Sequence, residues 1–204
     1  MFYLLSKLLL WIIGWKFTRK PDKSLQKFIM VIAPHTSMWD FVLGRIFFSV
    51  LQLRPRFMIK KEMFWFPLGP IIRFMGGIPV DRKNNKNLVN TIAGKLRERE
   101  RMVLVITPEG TRKPTSHWKK GFYTIAERAH VPIALGYLDY VKKECGVGPV
   151  FFPSGNFEQD FEMITAFFSD KTGKHPERFN LTPKAMHHPL KELRKSRKKK
   201  INNR

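Results

Sequence analysis

The stretch KFIMVIAPHTSMWDFVLGRIFFSVLQL, residues 27–53, decides the fold. Residues 27–33 form a short apolar run of strand length. Pro34 ends that run, because proline has no N–H to give a sheet. From residue 38 to 53 the apolar side chains continue at helical spacing, so the segment reads as a helix. A buried strand feeding straight into a helix opens an α/β unit.

The same alternation continues outward. RFMIKK (56–61) reads as a short strand, LVNTIAGKLRERE (88–100) as an amphipathic helix and RMVLVITP (101–108) as a strand. GFYTIAERAH (121–130) reads as a helix and VPIALGYLDY (131–140) as a strand, with GPVFF and EQDFEMITAFF as a late strand and helix. The expectation is a single α/β domain over residues 21–184, a central, mostly β-sheet core flanked by helices. An N-terminal membrane-associated helix (residues 1–20) precedes it and a basic tail (185–204) follows. At 204 residues with 43% apolar side chains, the chain is large enough to bury a core, which excludes global disorder.

The two ends carry opposite signals. From Met1 to Phe17 only Ser6, Lys7 and Lys16 interrupt the apolar character. A helix apolar nearly all round is buried in protein or in lipid. Seventeen residues at ~1.5 Å each reach about 25 Å, short of a ~30 Å hydrocarbon core. Trp11 and Trp15, followed by Lys16, Arg19 and Lys20, have the order of an interfacial anchor beside a basic cytoplasmic side. A cleaved signal peptide fits poorly, since no positive region precedes the run and no small-x-small site follows it. The alternative is an ordinary core helix.

The tail KELRKSRKKKINNR (191–204) is a solvated basic run, and the whole chain carries a net charge of +22. Such a charge seeks polyanions, either nucleic acid or an anionic membrane surface. The apolar segment at the other end favours the membrane, so no nucleic-acid partner is expected. The expected location is the cell membrane, peripheral or monotopic, on its cytoplasmic side. The single cysteine, Cys145, excludes an internal disulfide and a multi-cysteine zinc site, and no metal site is expected.

His35 and Asp40 are five residues apart. Inside one ideal helix that spacing would leave their side chains roughly 140° apart. They can meet if His35 lies in the turn and Asp40 in the first turn of the helix. Ser37 is a natural N-cap, and Ser37-Met38-Trp39-Asp40 resembles a capping box. Asp40 then reads either as a cap alone or as a carboxylate that also fixes one imidazole nitrogen, leaving the other as a base. An imidazole in water titrates at ~6.5, near the working pH a general base wants.

Two further segments end strands in polar clusters. VITPEGTRK (105–113) runs into Glu109, Gly110, Thr111 and Arg112, which offer close backbone approach, a hydroxyl and a planar fork for a phosphate. Ligands bind at such strand ends in α/β sheets. GGIPVDR (76–82) ends in Asp81-Arg82, which alone reads as a surface ion pair. The segment KKEMFWFPLGPIIRFMGG (60–77) is aromatic and broken by Pro67, Gly69 and Pro70. It reads as a second membrane-contacting surface or as core with turns, and Lys60 and Arg73 in it are weaker candidates for anion contact.

Taken in order, these segments resemble the glycerolipid acyltransferases of the 1-acyl-glycerol-3-phosphate acyltransferase family. His35 to Asp40 resembles that family's H-x-x-x-x-D block, GGIPVDR its G-x-I-F-I-D-R block, PEGTR its E-G-T-R block and VPIALG (131–136) its V-P-I-x-P-V block. Pro34 stands where the family usually has Asn, and Ala134-Leu135-Gly136 replaces the end of the last block. The resemblance implies that His35 is the base and Asp40 its orienting acid. It implies an acceptor phosphate held by Arg82, Glu109, Gly110, Thr111 and Arg112. The implied reaction is acyl transfer from acyl-CoA or acyl-carrier protein to the hydroxyl of a lysophospholipid, foremost 1-acyl-glycerol-3-phosphate. Glycerol-3-phosphate or another lysolipid is the alternative acceptor. No cofactor is implied beyond the thioester. Outside enzymes, the remaining reading is a basic protein that binds membranes or nucleic acid without catalysis.

Overall fold

The central strands of the sheet are apolar runs covered on both faces. A computed structural model describes residues 2–22, 24–81, 87–115 and 117–181. The expected basic tail and Arg82 lie outside the described residues. In chain order the elements are α1 (Phe2–Ile12), β1 (Lys16–Phe17), β2 (Lys27–Ile32), α2 (Trp39–Leu51), β3 (Pro55–Lys60) and α3 (Leu68–Phe74). There follow β4 (Gly77–Val80), α4 (Leu88–Arg97), β5 (Met102–Ile106), α5 (Gly121–Ala129), β6 (Ile133–Asp139), β7 (Glu144–Phe151) and α6 (Phe157–Phe168). They form one α/β domain around a seven-stranded mixed sheet of order β1-β7-β6-β2-β5-β3-β4.

All neighbouring pairs are parallel except β6 with β7. The central strand β2 pairs with β5 (Ile29 with Leu104) and with β6 (Ile29 with Ile133). Helices cover both faces of the sheet, which is why residues 28–31 are apolar without alternation and fully buried. Ile29 and Val31 point into a core filled by α4, α5 and α6, through Ile92, Leu96, Phe122, Ile125, Phe161 and Phe168. Phe28, Met30 and Ile32 point into the opposite core with Leu43, Phe47 and Phe48 of α2 and Leu10 of α1.

The N-terminal segment departs from the single helix expected over residues 1–20. α1 is 11 residues long, and Gly14 breaks the chain with a φ of +72°, a left-handed conformation that favours glycine. Trp15 then turns inward, edge-on to Tyr140 with ring centroids 5.1 Å apart, so it is a core residue and not an interfacial anchor. Lys16–Phe17 pair with Glu144–Cys145 of β7. Among the described residues, no helix is long and apolar enough to cross a membrane. The face of α1 turned from the core nevertheless leaves Leu4, Leu8, Trp11 and Ile12 exposed.

Candidate active site

β2 and β5 run parallel in register, with Val31 opposite Ile106, so their C-terminal ends stop side by side. The loop after β2 carries His35 and the loop after β5 carries Glu109, and the two meet although 74 residues separate them in sequence. The backbone N–H of His35 donates to both carboxylate oxygens of Glu109, at 3.2 and 3.0 Å.

His35 Nδ1 lies 3.2 Å from Asp40 Oδ2, and the Asp40 side chain is almost wholly buried while that of His35 is 23% exposed. The same Oδ2 accepts from the backbone N–H groups of Thr36 (2.8 Å) and Ser37 (2.9 Å). Oδ1 accepts from the Tyr140 hydroxyl at 2.7 Å. Burial raises the Asp40 pKa, but the hydrogen bonds from His35, the Ser37 N–H and Tyr140 outweigh it and hold the carboxyl below its usual range. The phenol of Tyr140 is pushed well above its ordinary value by burial and by the Asp40 carboxylate, so it stays a donor.

The helix start keeps half of the capping box read in the sequence: the Asp40 carboxylate accepts from the Ser37 N–H, but Ser37 Oγ accepts from the Trp39 N–H and not from that of Asp40. Met38 is the N-cap residue and its side chain makes no cap bond. Asp40 reaches one residue further back as well, to the Thr36 N–H, and the bond from the Trp39 N–H to Ser37 Oγ is 3.2 Å long. The carboxylate thus collects four donors in all, from His35, Thr36, Ser37 and Tyr140, and holds the turn to the helix start.

Glu109 also moves from its expected role. It is 4% exposed and is engaged with the His35 backbone, so it shapes the turn instead of facing a phosphate. Burial pushes its carboxyl up to about 8, with the His35 N–H opposing and the Asp40 charge adding to the rise. Between an ordinary carboxyl pKa of 4.5 and about 8 the folded chain therefore holds a proton the unfolded chain has lost. Stability from this group is greatest below that window and falls as pH rises through it. Glu109→Gln keeps an acceptor for the His35 N–H but cannot titrate. Denaturant melts across the window should show wild type losing stability relative to this variant, by on the order of a few kcal/mol in total.

Gly110 turns the chain with a φ of +65°, and a Cβ there would come within 2.9 Å of Lys119 Nζ. Thr111 and Arg112 are exposed at the same rim. Together with Lys113 and Lys119 they line a cavity of about 930 Å³ that His35 and Asp40 also line. Its walls are apolar and wrap the end of the sheet, with Phe41, Gly44, Phe48 and Phe57 on one side and Val80, Leu88, Val89 and Ile125 on the other. Lys60 and Arg73 are not among the lining residues; the Arg73 guanidinium sits over the Phe64 ring, 5.5 Å from its centroid. The backbone N–H of Gly110 donates to Thr107 O, and those of Thr36 and Ser37 donate to Asp40. Among the described residues, no cluster of three His, Cys, Asp or Glu could hold a metal ion.

Sequence reading missed three parts of this site. Lys113 and Lys119 look like ordinary surface lysines in the sequence. Tyr140 directly follows β6, the other neighbour of β2, and only the strand order places it beside Asp40. The segment after α6 also closes on the catalytic turn. The His175 N–H donates to Thr36 Oγ1 at 3.1 Å, and Arg178 Nη1 donates to Thr36 O at 3.3 Å. Gly173 packs so closely that a Cβ would lie 2.8 Å from Thr36 Oγ1 and 3.0 Å from Pro34 Cβ. Gly173→Val should therefore wedge this strap off the turn, costing about 1–3 kcal/mol in a thermal melt and lowering turnover as well.

The sequence model of a family described as acyltransferase matches residues 17–134. Among solved structures, the 1-acyl-sn-glycerophosphate (LPA) acyltransferase PlsC from Thermotoga maritima matches with a TM-score of 0.54, covering 80% of this chain and 73% of that one at 16% identity. Similarity at that identity is a similarity of fold. No curated protein sequence matches the chain. The matched segment holds more than half the chain and includes both loops that meet at His35, and on that ground the chain belongs to the acyltransferase family and is an acyltransferase.

Proposed function

We propose that the protein moves a fatty acyl group from an acyl thioester, on coenzyme A or acyl-carrier protein, to the free hydroxyl of 1-acyl-glycerol-3-phosphate, giving phosphatidic acid. The observation that carries this reading is the His35–Asp40 pair at an apolar cavity of about 930 Å³ whose polar rim is cationic. That volume is in the range of ligand pockets, and its walls suit acyl chains.

In this reading Asp40 holds the proton on His35 Nδ1 and leaves Nε2 free. Nε2 takes the proton of the acceptor hydroxyl as its oxygen attacks the thioester carbonyl. The tetrahedral adduct collapses, breaking the C–S bond, and the imidazolium returns its proton to the leaving thiolate. No acyl-enzyme and no further cofactor are needed. Cys145 is fully buried and burial pushes its thiol up to about 12, so it makes a poor nucleophile. Arg112, with Thr111, Lys113 and Lys119 beside it, binds the acceptor phosphate. PlsC is described as acting on LPA, and its shared fold supports the same acceptor class here.

The protein acts at a membrane, held peripherally through α1 and its basic surface. The test is a panel of acceptors with one labelled acyl thioester. Lysophosphatidic acid should be preferred over glycerol-3-phosphate and over zwitterionic lysolipids. Arg112→Ala should raise the acceptor KM by about 10–100-fold and leave the donor KM unchanged. A selective rise in donor KM would assign Arg112 to the thioester instead.

A further inference from the structure

The aromatic segment between β3 and β4 does not complete a core. Phe66 is 84% exposed, Phe74 92% and Trp65 58%. Gly69 is the one buried residue of α3. Five or more large apolar side chains left out of a core across a dozen residues, with Ile71 and Met63 among them, mark a surface built to be covered.

The topology places this segment with α1 and α2. The β2–α2–β3 and β3–α3–β4 crossovers step the same way across the sheet, so the right-handed rule puts α2 and α3 on one face. Arg45 of α2 confirms the proximity by donating from Nη1 to Met75 O, at the end of α3, at 3.3 Å. α1 packs on α2 and shares its core. The outer surface of this layer thus carries Leu8 and Trp11 of α1, Trp39 and Val42 of α2, and Phe66 and Phe74, all exposed. The other layer is different: α4 and the loop after it expose Lys95 and the charged run 97–101. Outside residues 4–74, the exposed large apolar side chains among the described residues are Val141, Val150, Phe152 and Met163.

We propose that the outer surface of α1, α2 and α3 lies on an anionic lipid bilayer, and that residues 63–74 form a second insertion element beyond α1. Charge identifies the occupant. Exposed Lys60, Lys61 and Arg73 flank the aromatic side chains against the single acid Glu62, and the Lys174 ammonium lies 4.9 Å from the centre of the Trp39 ring. Aromatic side chains between cations are the composition of a membrane interface. A net charge of +22 repels a second copy of the chain and draws in an anionic surface. Phe41 joins this surface to the chemistry, since it is 38% exposed and also lines the cavity beside Asp40. This rests on the reading above that the acceptor is a lipid, and it adds the route by which that lipid enters: sideways from the bilayer past Phe41.

The test uses the full chain with Phe66→Ser and Phe74→Ser combined, both changes being at exposed positions outside the cavity. Sedimentation with vesicles of phosphatidylcholine containing phosphatidylglycerol reads membrane binding. Turnover of a short-chain lysophosphatidic acid, kept below its micelle concentration, reads the catalytic site alone. The double variant should bind vesicles about tenfold more weakly or worse, with turnover of the soluble acceptor unchanged. Phe66→Trp should bind like wild type. Equal vesicle binding by wild type and double variant overturns the proposal. So does a change in the oligomeric state of the variant without loss of vesicle binding, which would assign the surface to a second copy. A wild type that acylates no lysophospholipid would instead defeat the proposed reaction, while the vesicle comparison could still be read.

Discussion

His35→Ala should lower acyl transfer by roughly 10²–10⁴-fold, the range expected when a general base is removed. The fold should survive the change. The His35 side chain is partly exposed, and the bond that ties this residue into the structure comes from its backbone N–H to Glu109, which alanine retains. A thermal melt close to wild type beside a collapsed rate would therefore separate chemistry from folding. Substrate KM values should change little, because the lost interaction is made to a proton in transit. An unchanged rate would remove His35 from the mechanism.

Asp40→Asn carries the other large effect, and it differs in kind. The side chain keeps its size but loses its charge, and one of its two oxygens becomes an NH₂ group. The site has the Thr36 N–H, the Ser37 N–H, the Tyr140 hydroxyl and His35 Nδ1 all aimed at this carboxylate. At least one donor then faces another donor in a buried place. Activity should fall by about 10³-fold or more, because the imidazole tautomer is no longer fixed. Stability should fall by about 2–4 kcal/mol, which His35→Ala does not show. Acid titration adds a signature. The folded Asp40 carboxyl is held below its ordinary value of 3.8, so its contribution is full above that pH and is lost as pH falls through the lower folded value. The asparagine variant should lack that acid-side loss, measurable by denaturant melts.

The parts of this molecule that sequence patterns revealed are those whose causes are local. Residues 27–33 had to be a strand with both faces covered, because an apolar run without alternation has no wet side. Pro34 had to end it, and the spacing of His35 and Asp40 allowed the two to meet while leaving a cap-only role for Asp40 open. The capping box read in the sequence is half present, in the bond from the Ser37 N–H to Asp40, while Ser37 Oγ takes the Trp39 N–H. α3 was hidden because its 7 residues include Gly69 and Pro70 and bury almost nothing, so no apolar periodicity marks it. The N-terminal run looked uniform, and Gly14 gave little warning that Trp15 would turn into the core. Tyr140 lies 100 residues from Asp40 and Arg178 lies 142 from Thr36. Such contacts exist only once the strand order is fixed, and nothing in the flanking sequence announces them. Glu109 shows the same limit: its position at a strand end was legible, but not that its partner is a backbone N–H of another loop.

In direct transfer the acceptor hydroxyl, deprotonated by His35, attacks the thioester itself. The most direct measurement follows a labelled acyl group from its thioester in the presence and absence of lysophosphatidic acid, with the protein itself recovered and counted. Label should enter phosphatidic acid only when acceptor is present, and should appear on the protein at no time. Label on the protein before acceptor is added would contradict direct transfer to the acceptor hydroxyl, since that route forms no acyl-enzyme.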